Sequence, residues 1–427
     1  MRVLYTIGVL LYSLGVRLAA LFGNAKAVKW VKGRKTKAPE PVEGPSIKEP
    51  VLRPFDKFKA QEPDSSWVWF HAASLGEFEQ GRPVIEALKE RHPELKISLT
   101  FFSPSGYEVR KDYPLADEVV YLPSDTPRHA AQWVQRHHFV AAVFIKYEFW
   151  FNYMKALKDA GIPLFYISLI LSPDSYFFRW YGTWFLRQLH HVSYFFVQDD
   201  TTKKLLASHG LSNVTVCGDT RFDRVAAIAR QVKPFPEVEQ FIKGRRCIIA
   251  GSTWPPDERL LLEFMPQLPS DYCLIIAPHD ISDAHIAQIT AQFPESQLYT
   301  ELNPGQQSKV LVVNTIGILS QLYQYARFVY IGGGFGVNIH NIQEPVTFGC
   351  PVVFGPKYKS FREAVDLVAL EGAFPVANAE ELKAVFLRLI DDETVLMHAS
   401  EVCIDYLNAQ VGATQSIMSG LEKSLFS

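Results

Sequence analysis

Short, near-continuous apolar runs alternate with amphipathic segments through most of this chain, and the alternation runs twice. From Trp67 the strand-like "WVWFHAAS" leads to the helical "VIEALKERH", then the strand "KISLTFF". "EVVYLP", the helical "PRHAAQWVQRH", the strand "FVAAVFIK", the helical "FNYMKALKDAG" and the strand "PLFYISLIL" follow. Strands that are apolar on both sides of the pleat belong in a parallel sheet covered by helices on both faces. The pattern therefore predicts a doubly wound α/β domain. It restarts after Lys233-Pro234-Phe235-Pro236 with "RRCIIAGST", "DYCLIIAPHD", "KVLVVNT", "RFVYIGGGFG" and "CPVVFGP", separated by helical segments. Two such domains facing a central cleft are expected, with ligands at the carboxyl ends of the strands.

A length of 427 residues suits two cores rather than one. The expected division is a membrane anchor at 1–25, a basic and Pro-rich tether at 26–62, a first α/β domain at 63–233 and a second at 234–427. A net charge of −2 argues against a nucleic-acid partner, which selects for a basic surface. The 5 cysteines are odd in number and none are spaced as metal knuckles, which argues against a disulfide framework or a zinc site.

The N-terminal "VLYTIGVLLYSLGVRLAALFG" is long enough to meet a bilayer, which takes roughly 20 residues, although Arg17 weakens a full span. Lys26, Lys29, Lys32, Arg34, Lys35 and Lys37 follow and suit an anionic, cytoplasmic lipid surface. The segment precedes both alternating patterns, so it is expected to be dispensable for the fold. The alternative is a first helix packed on the domain. "YFFRWYGTWFLRQLHHVSYFF" at 176–196 holds 10 aromatic residues and fits a core helix and strand as well as a membrane-facing surface.

Charged residues at strand ends are the site candidates. Glu77 follows the first strand behind Ala72, Ala73 and Ser74, with Gly76 expected to tighten the turn. Glu148 follows the strand "FVAAVFIK", and Arg221 lies in "CGDTRFD". "IGGGFG" has Val337 at the last glycine position of a dinucleotide fingerprint, which disfavours that fold. Downstream, a helix is expected to start near Asn341, with Glu344 one turn in, where a carboxylate can accept from ribose hydroxyls. "AGST" and "APHD" end other strands of the second domain. No D-x-D pair occurs, so no metal is expected.

The ordered set "HAASLGE", "YEFWFN", "GDTRFD", "GSTWPPDE", "APHD", "TIGILSQLY" and "HNIQEP" resembles the 3-deoxy-D-manno-octulosonic acid (Kdo) transferases along nearly the whole chain. The resemblance implies a GT-B-like fold and inverting, metal-independent transfer of Kdo from CMP-Kdo to a lipid A precursor, lipid IVA, at the cytoplasmic face of the inner membrane. It implies no cofactor, an acceptor-binding first domain and a CMP-sugar-binding second domain. Position by position, Glu77 matches the base, Glu148 a glutamate that supports the transition state, and Arg221 a residue that is commonly lysine. Pro278 and His279 match a CMP-binding pair that is usually Pro-Arg. Ile316, Gly317 and Ile318 match a second CMP loop, with Ile318 where glutamate is frequent. Asn341, Ile342, Gln343 and Glu344 match a third, with Ile342 replacing proline. A sugar-nucleotide epimerase of the same architecture and a membrane-tethered nucleotide-binding module without catalysis remain alternatives.

Overall fold

The computed structural model describes residues 1–35, 66–303 and 305–426. The tether expected within 26–62 lies outside these residues beyond position 35. Contacts divide the chain into two units, Met1–Asp223 with Gly412–Ser427 and Arg224–Val411. The division falls earlier than the expected 233/234, and the C-terminal helix Ala413–Phe426 belongs to the first unit.

The first unit is a parallel seven-stranded sheet in the order β3-β2-β1-β4-β5-β6-β7. The strands are β1 (Trp67–Ala72), β2 (Lys96–Phe101), β3 (Glu118–Tyr121), β4 (Phe139–Ile145), β5 (Leu164–Leu169), β6 (Tyr194–Val197) and β7 (Val214–Val216). Every residue of β4 and β5 is buried, as expected of central strands covered on both faces. Alternation along β1 sends Trp69 to one face, with Phe144, Tyr153 and Met154. It sends Val68, Phe70 and Ala72 to the other, with Phe78, Val84, Ile85 and Leu88 of the helix Leu75–Arg91. Gly81 lets that helix lie on β4, because a Cβ there would stand 2.2 Å from Ile145 Cδ1.

The C-terminal helix joins the second of these faces through Ile417, Met418, Leu421 and Leu425. Its start is fixed by the Asp223 carboxylate, which accepts the N–H groups of Gly412 and Thr414, each at 2.6 Å.

The apolar N-terminal segment forms the helix Arg2–Leu21. It is not outside the fold. Arg2 Nε donates to Asn152 Oδ1 at 2.8 Å, Tyr5 donates its hydroxyl proton to Asp125 at 2.6 Å, and Ser13 Oγ lies 3.1 Å from Ser124 Oγ. The same helix keeps Leu4, Leu11 and Leu21 exposed, by 64%, 62% and 82%, and Phe22 just beyond it is 91% exposed. The next helix, Ala25–Lys35, buries Ala27 and Trp30 and exposes Lys26, Lys29 and Lys32. Arg34 does not belong to the basic surface. Its guanidinium stacks on Trp30 and donates to the carbonyls of Leu122 and Phe102, at 3.0 and 3.1 Å.

The second unit repeats the plan in the order β10-β11-β9-β8-β12-β13-β14. Its strands are β8 (Arg246–Thr253), β9 (Tyr272–Pro278), β10 (Gln297–Leu298), β11 (Val310–Val312), β12 (Ala326–Ile331), β13 (Val352–Phe354) and β14 (Ala373–Pro375). The glycine run after β12 serves packing: a Cβ on Gly332 would meet the Ser252 carbonyl oxygen at 2.3 Å.

Candidate active site

In the first unit, strand order reverses between β1 and β4, so the helix after each leaves on an opposite face. That is where a doubly wound sheet opens a crevice at its carboxyl edge. Glu77 and Glu148 enter this place from its two sides.

β1 ends at Ala72, and the helix Leu75–Arg91 begins after Ala73 and Ser74. Glu77 lies in its first turn and folds back on the turn itself. Its Oε2 accepts the N–H groups of Ala73 at 2.5 Å and Ser74 at 3.1 Å. These amides would otherwise lack partners, so the carboxylate is both a helix cap and a rigidly held group. Gly76 is not needed for the turn: it is the second residue of the helix, and a Cβ there would meet nothing within 4 Å.

β4 ends at Ile145, and the chain turns through Lys146 at φ +62°, a conformation uncommon for a residue with a Cβ. The Lys146 N–H still donates to the Ile167 carbonyl at 3.0 Å. The turn delivers Glu148, whose Oε2 accepts from Trp150 Nε1 at 2.8 Å and lies 3.3 Å from His71 Nε2. The Tyr166 hydroxyl donates to the Glu148 carbonyl at 2.8 Å.

Burial pushes the Glu77 carboxyl up to about 7, and the Glu148 carboxylate adds to the rise. The Ala73 and Ser74 amides and the Lys146 charge oppose it. A carboxyl that titrates near neutrality is suited to accept a proton from a hydroxyl during reaction.

Arg221 lies on the helix Thr220–Arg230, after β7 at the sheet edge. Its Nη2 and Nε donate to Asp219 Oδ2 at 2.6 and 2.9 Å, which fixes the guanidinium plane. Next to it, Thr220 Oγ1 donates to the Gln80 carbonyl at 2.5 Å, joining this helix to the one that carries Glu77.

In the second unit, Pro278 is the buried last residue of β9, and His279 is exposed just beyond it. The His279 ring stacks on Trp254 at 4.8 Å and on His340 at 4.4 Å between centroids. Trp254 Nε1 donates to His340 Nε2 at 2.9 Å. Burial, then the neighbouring His279, holds the His340 ring below the usual imidazole range. Ile316 is 80% exposed in the loop after β11, Gly317 has φ +93°, and Ile318 precedes the short helix Leu319–Leu322.

The expected helix near Asn341 is Gln343–Thr347, capped by Asn341 Oδ1, which accepts the Gln343 N–H at 3.0 Å. Asn341 Nδ2 donates to Glu344 Oε1 at 3.3 Å. Burial raises the Glu344 carboxyl, while Asn341 and Arg224 oppose the rise. Ile342 is buried, and Gln343 turns inward to donate to Glu363 at 3.2 Å, so neither presents a side chain to a ligand.

Thus Glu77 and Glu148 come together in one unit, and the Pro278, His279, Ile316–Ile318 and Asn341–Glu344 segments all leave the carboxyl side of strands in the other. Sequence reasoning did not pick out His71, Lys146 or Trp150, nor Trp254 and His340 flanking His279. The one available signal was polar His71 inside an apolar strand.

Residues 47–224 match the family described as 3-deoxy-D-manno-octulosonic-acid transferase (kdotransferase). The chain is also 27% identical to the 3-deoxy-D-manno-octulosonic acid transferase of Aquifex aeolicus over 74% of its length and 83% of that protein. It is 26% identical to that of Bordetella pertussis over 85% of its length and 89% of that protein.

The chain is similar in sequence to the Kdo transferases over most of its length.

Among solved structures, the UDP-GlcNAc 2-epimerase of Neisseria meningitidis bound to UDP-GlcNAc is similar at a TM-score of 0.59 and 14% identity, over 84% of this chain and 99% of that one. That likeness concerns the fold alone and is of GT-B-like type. Transfer of Kdo is the activity that these relatives are named for.

Proposed function

We propose that this protein moves Kdo from CMP-Kdo to a lipid A precursor, lipid IVA, by inverting displacement. The observation that carries the reading is the Glu77 carboxyl, pinned by two amides and raised to about 7 beside Glu148 at the reversal of strand order. A lipid IVA hydroxyl is a poor nucleophile at neutral pH. Glu77 takes its proton as oxygen bonds to the anomeric carbon of Kdo, and the bond to CMP breaks with its electron pair leaving on the phosphate. Inversion needs one base. In this reading Glu148 favours positive charge developing on the sugar, and Arg221 supplies a cation for the anionic donor. CMP carries a single phosphate, and the mechanism proposed uses no metal.

The second unit binds CMP in this reading. Pro278 and His279 meet the base, Ile316, Gly317 and Ile318 contribute a loop, and Glu344 accepts from the ribose hydroxyls. Ile342 and Gln343 act through backbone. The helix Arg2–Leu21, with its outward apolar side chains and Lys26, Lys29 and Lys32 beyond it, holds the enzyme on the cytoplasmic face of the inner membrane.

The test is incubation of purified protein with CMP-Kdo and lipid IVA, followed by mass spectrometry. Lipid IVA gaining the mass of a Kdo residue is the expected result. Kdo remaining on the nucleotide, or no change, would reject it.

A further inference from the structure

Three loops at the carboxyl side of the second sheet bring three rings together. Trp254 follows β8, His279 follows β9, and His340 lies beyond the glycine run after β12. One buried carboxylate fixes two of these loops. Asp257, 1% exposed, accepts the Trp254 N–H at 2.9 Å and the Gly333 N–H at 3.0 Å through Oδ2, and the Tyr330 hydroxyl at 2.7 Å through Oδ1. His340 is held against the same glycine loop. Its N–H donates to the Gly332 carbonyl at 3.1 Å, and a Cβ on Gly333 would stand 2.9 Å from His340 Cδ2 and 3.2 Å from Nε2. The His279 N–H donates to the Thr253 carbonyl at 2.9 Å, which ties the third loop to the first.

The hydrogen between Trp254 and His340 admits one assignment. An indole Nε1–H donates and cannot accept. It lies 2.9 Å from His340 Nε2, so Nε2 supplies the lone pair, and the proton of the neutral ring sits on Nδ1. Protonating Nε2 as well would set two N–H groups against each other, and burial and His279 also disfavour the charged ring. Among the described residues Nδ1 makes no hydrogen bond, and it is not buried.

We propose that Trp254 is a positioning residue that holds His340 as a neutral Nδ1–H donor, and that this N–H serves an acceptor oxygen of the nucleotide bound by the second unit. The inference rests on the CMP-binding reading of that unit. A neutral donor in a fixed tautomer gives a directed hydrogen bond without burying a charge. The phosphate oxygens and the cytosine carbonyl share the acceptor chemistry it needs.

Two arms test this on the full chain. In the first, ring-15N NMR reads the tautomer of His340, assigned by the signals lost in His340→Asn, in wild type and in Trp254→Phe. The phenylalanine keeps a ring beside His279 and the backbone N–H on Asp257 but removes the indole N–H. A neutral ring protonated on Nδ1 is expected in wild type, with Nε2–H gaining population in Trp254→Phe. An Nε2-protonated ring in wild type, or the same tautomer in both proteins, overturns the proposal whether or not the protein transfers Kdo. In the second arm, calorimetry compares CMP with cytidine. Trp254→Phe should weaken CMP about 2- to 12-fold, the loss of one neutral hydrogen bond. His340→Asn, which keeps an amide N–H near Nδ1, should bind CMP more tightly than His340→Gln, which places it near Nε2. A loss confined to CMP assigns the bond to the phosphate, and an equal loss with cytidine assigns it to the nucleoside. Unchanged CMP affinity in Trp254→Phe, or the reverse rank of the two His340 variants, overturns the role toward the nucleotide. No CMP binding by wild type defeats that role together with the CMP-binding reading, and the first arm still decides the tautomer.

Discussion

Tyr5 offers a sharp test of whether the apolar N-terminal helix is part of the fold. Its hydroxyl donates at 2.6 Å to Asp125, which is fully buried and also accepts the N–H groups of Asn152 and Tyr153 at 3.1 and 3.0 Å. Burial raises the Asp125 carboxyl to about 6 from 3.8 against these hydrogen bonds. Because its folded pKa exceeds the unfolded value, its contribution to stability is complete below pH 3.8 and declines as pH rises through 6. Tyr5→Phe removes a donor that offsets this decline. At pH 8, where the carboxyl is ionised, the loss is that of a hydrogen bond to a charged group, about 1.5–3 kcal/mol. At pH 5, where the carboxyl is mostly protonated, it is that of a neutral bond, about 0.5–1.5 kcal/mol. Thermal melts followed by tryptophan fluorescence read the first unit, since Trp254 is the single tryptophan of the second. Each kcal/mol moves the midpoint by about 2–4 °C for a unit of this size. A Tyr5→Phe melt equal to wild type at pH 8, or a deficit independent of pH, would refute the docking of this helix on Asp125.

The C-terminal helix should be equally integral: Ile417→Ala, at a fully buried position, should cost the first unit about 2–5 kcal/mol in the same melts. Replacing Lys26, Lys29 and Lys32 by glutamine should weaken sedimentation with anionic vesicles by about 1 kcal/mol per lysine, and the difference should fade at high salt. Glu344→Ala should weaken CMP binding by about 1–3 kcal/mol in calorimetry if its carboxylate accepts from the ribose.

The doubly wound sheets were legible because strands such as "FVAAVFIK" are apolar on both faces, a property of the residues alone. So were the positions of Glu77 and Glu148, since a charged residue within a few positions of the end of such a strand must stand near the carboxyl side of the sheet. The return of Ala413–Phe426 to the first unit was not, because an amphipathic helix does not encode which sheet it covers. Docking of Arg2–Leu21 was hidden for a related reason. Its apolar residues suit lipid, and the few polar atoms that hold it, on Arg2, Tyr5, Thr6 and Ser13, find partners more than 100 positions away. Gly76 was misread because a glycine beside a strand end usually marks a turn, whereas here the helix has already begun. The His71–Glu148–Trp150 triangle depends on the register of β1 with β2 and β4, which periodicity does not supply.

The central claim is that Glu77 accepts the acceptor proton, and the single-turnover rate of Kdo transfer, measured across pH in wild type and Glu77→Gln at saturating CMP-Kdo and lipid IVA, tests it most directly. Glutamine can still accept from the Ala73 and Ser74 amides, so the helix cap survives while the proton acceptor is lost. The wild-type rate should climb with pH to a plateau through a midpoint near 7, where the Glu77 carboxyl ionises. Glu77→Gln should lie about 10²–10⁴-fold below that plateau and lack the limb. A Glu77→Gln rate within about tenfold of wild type, or the same limb in both proteins, would contradict the account.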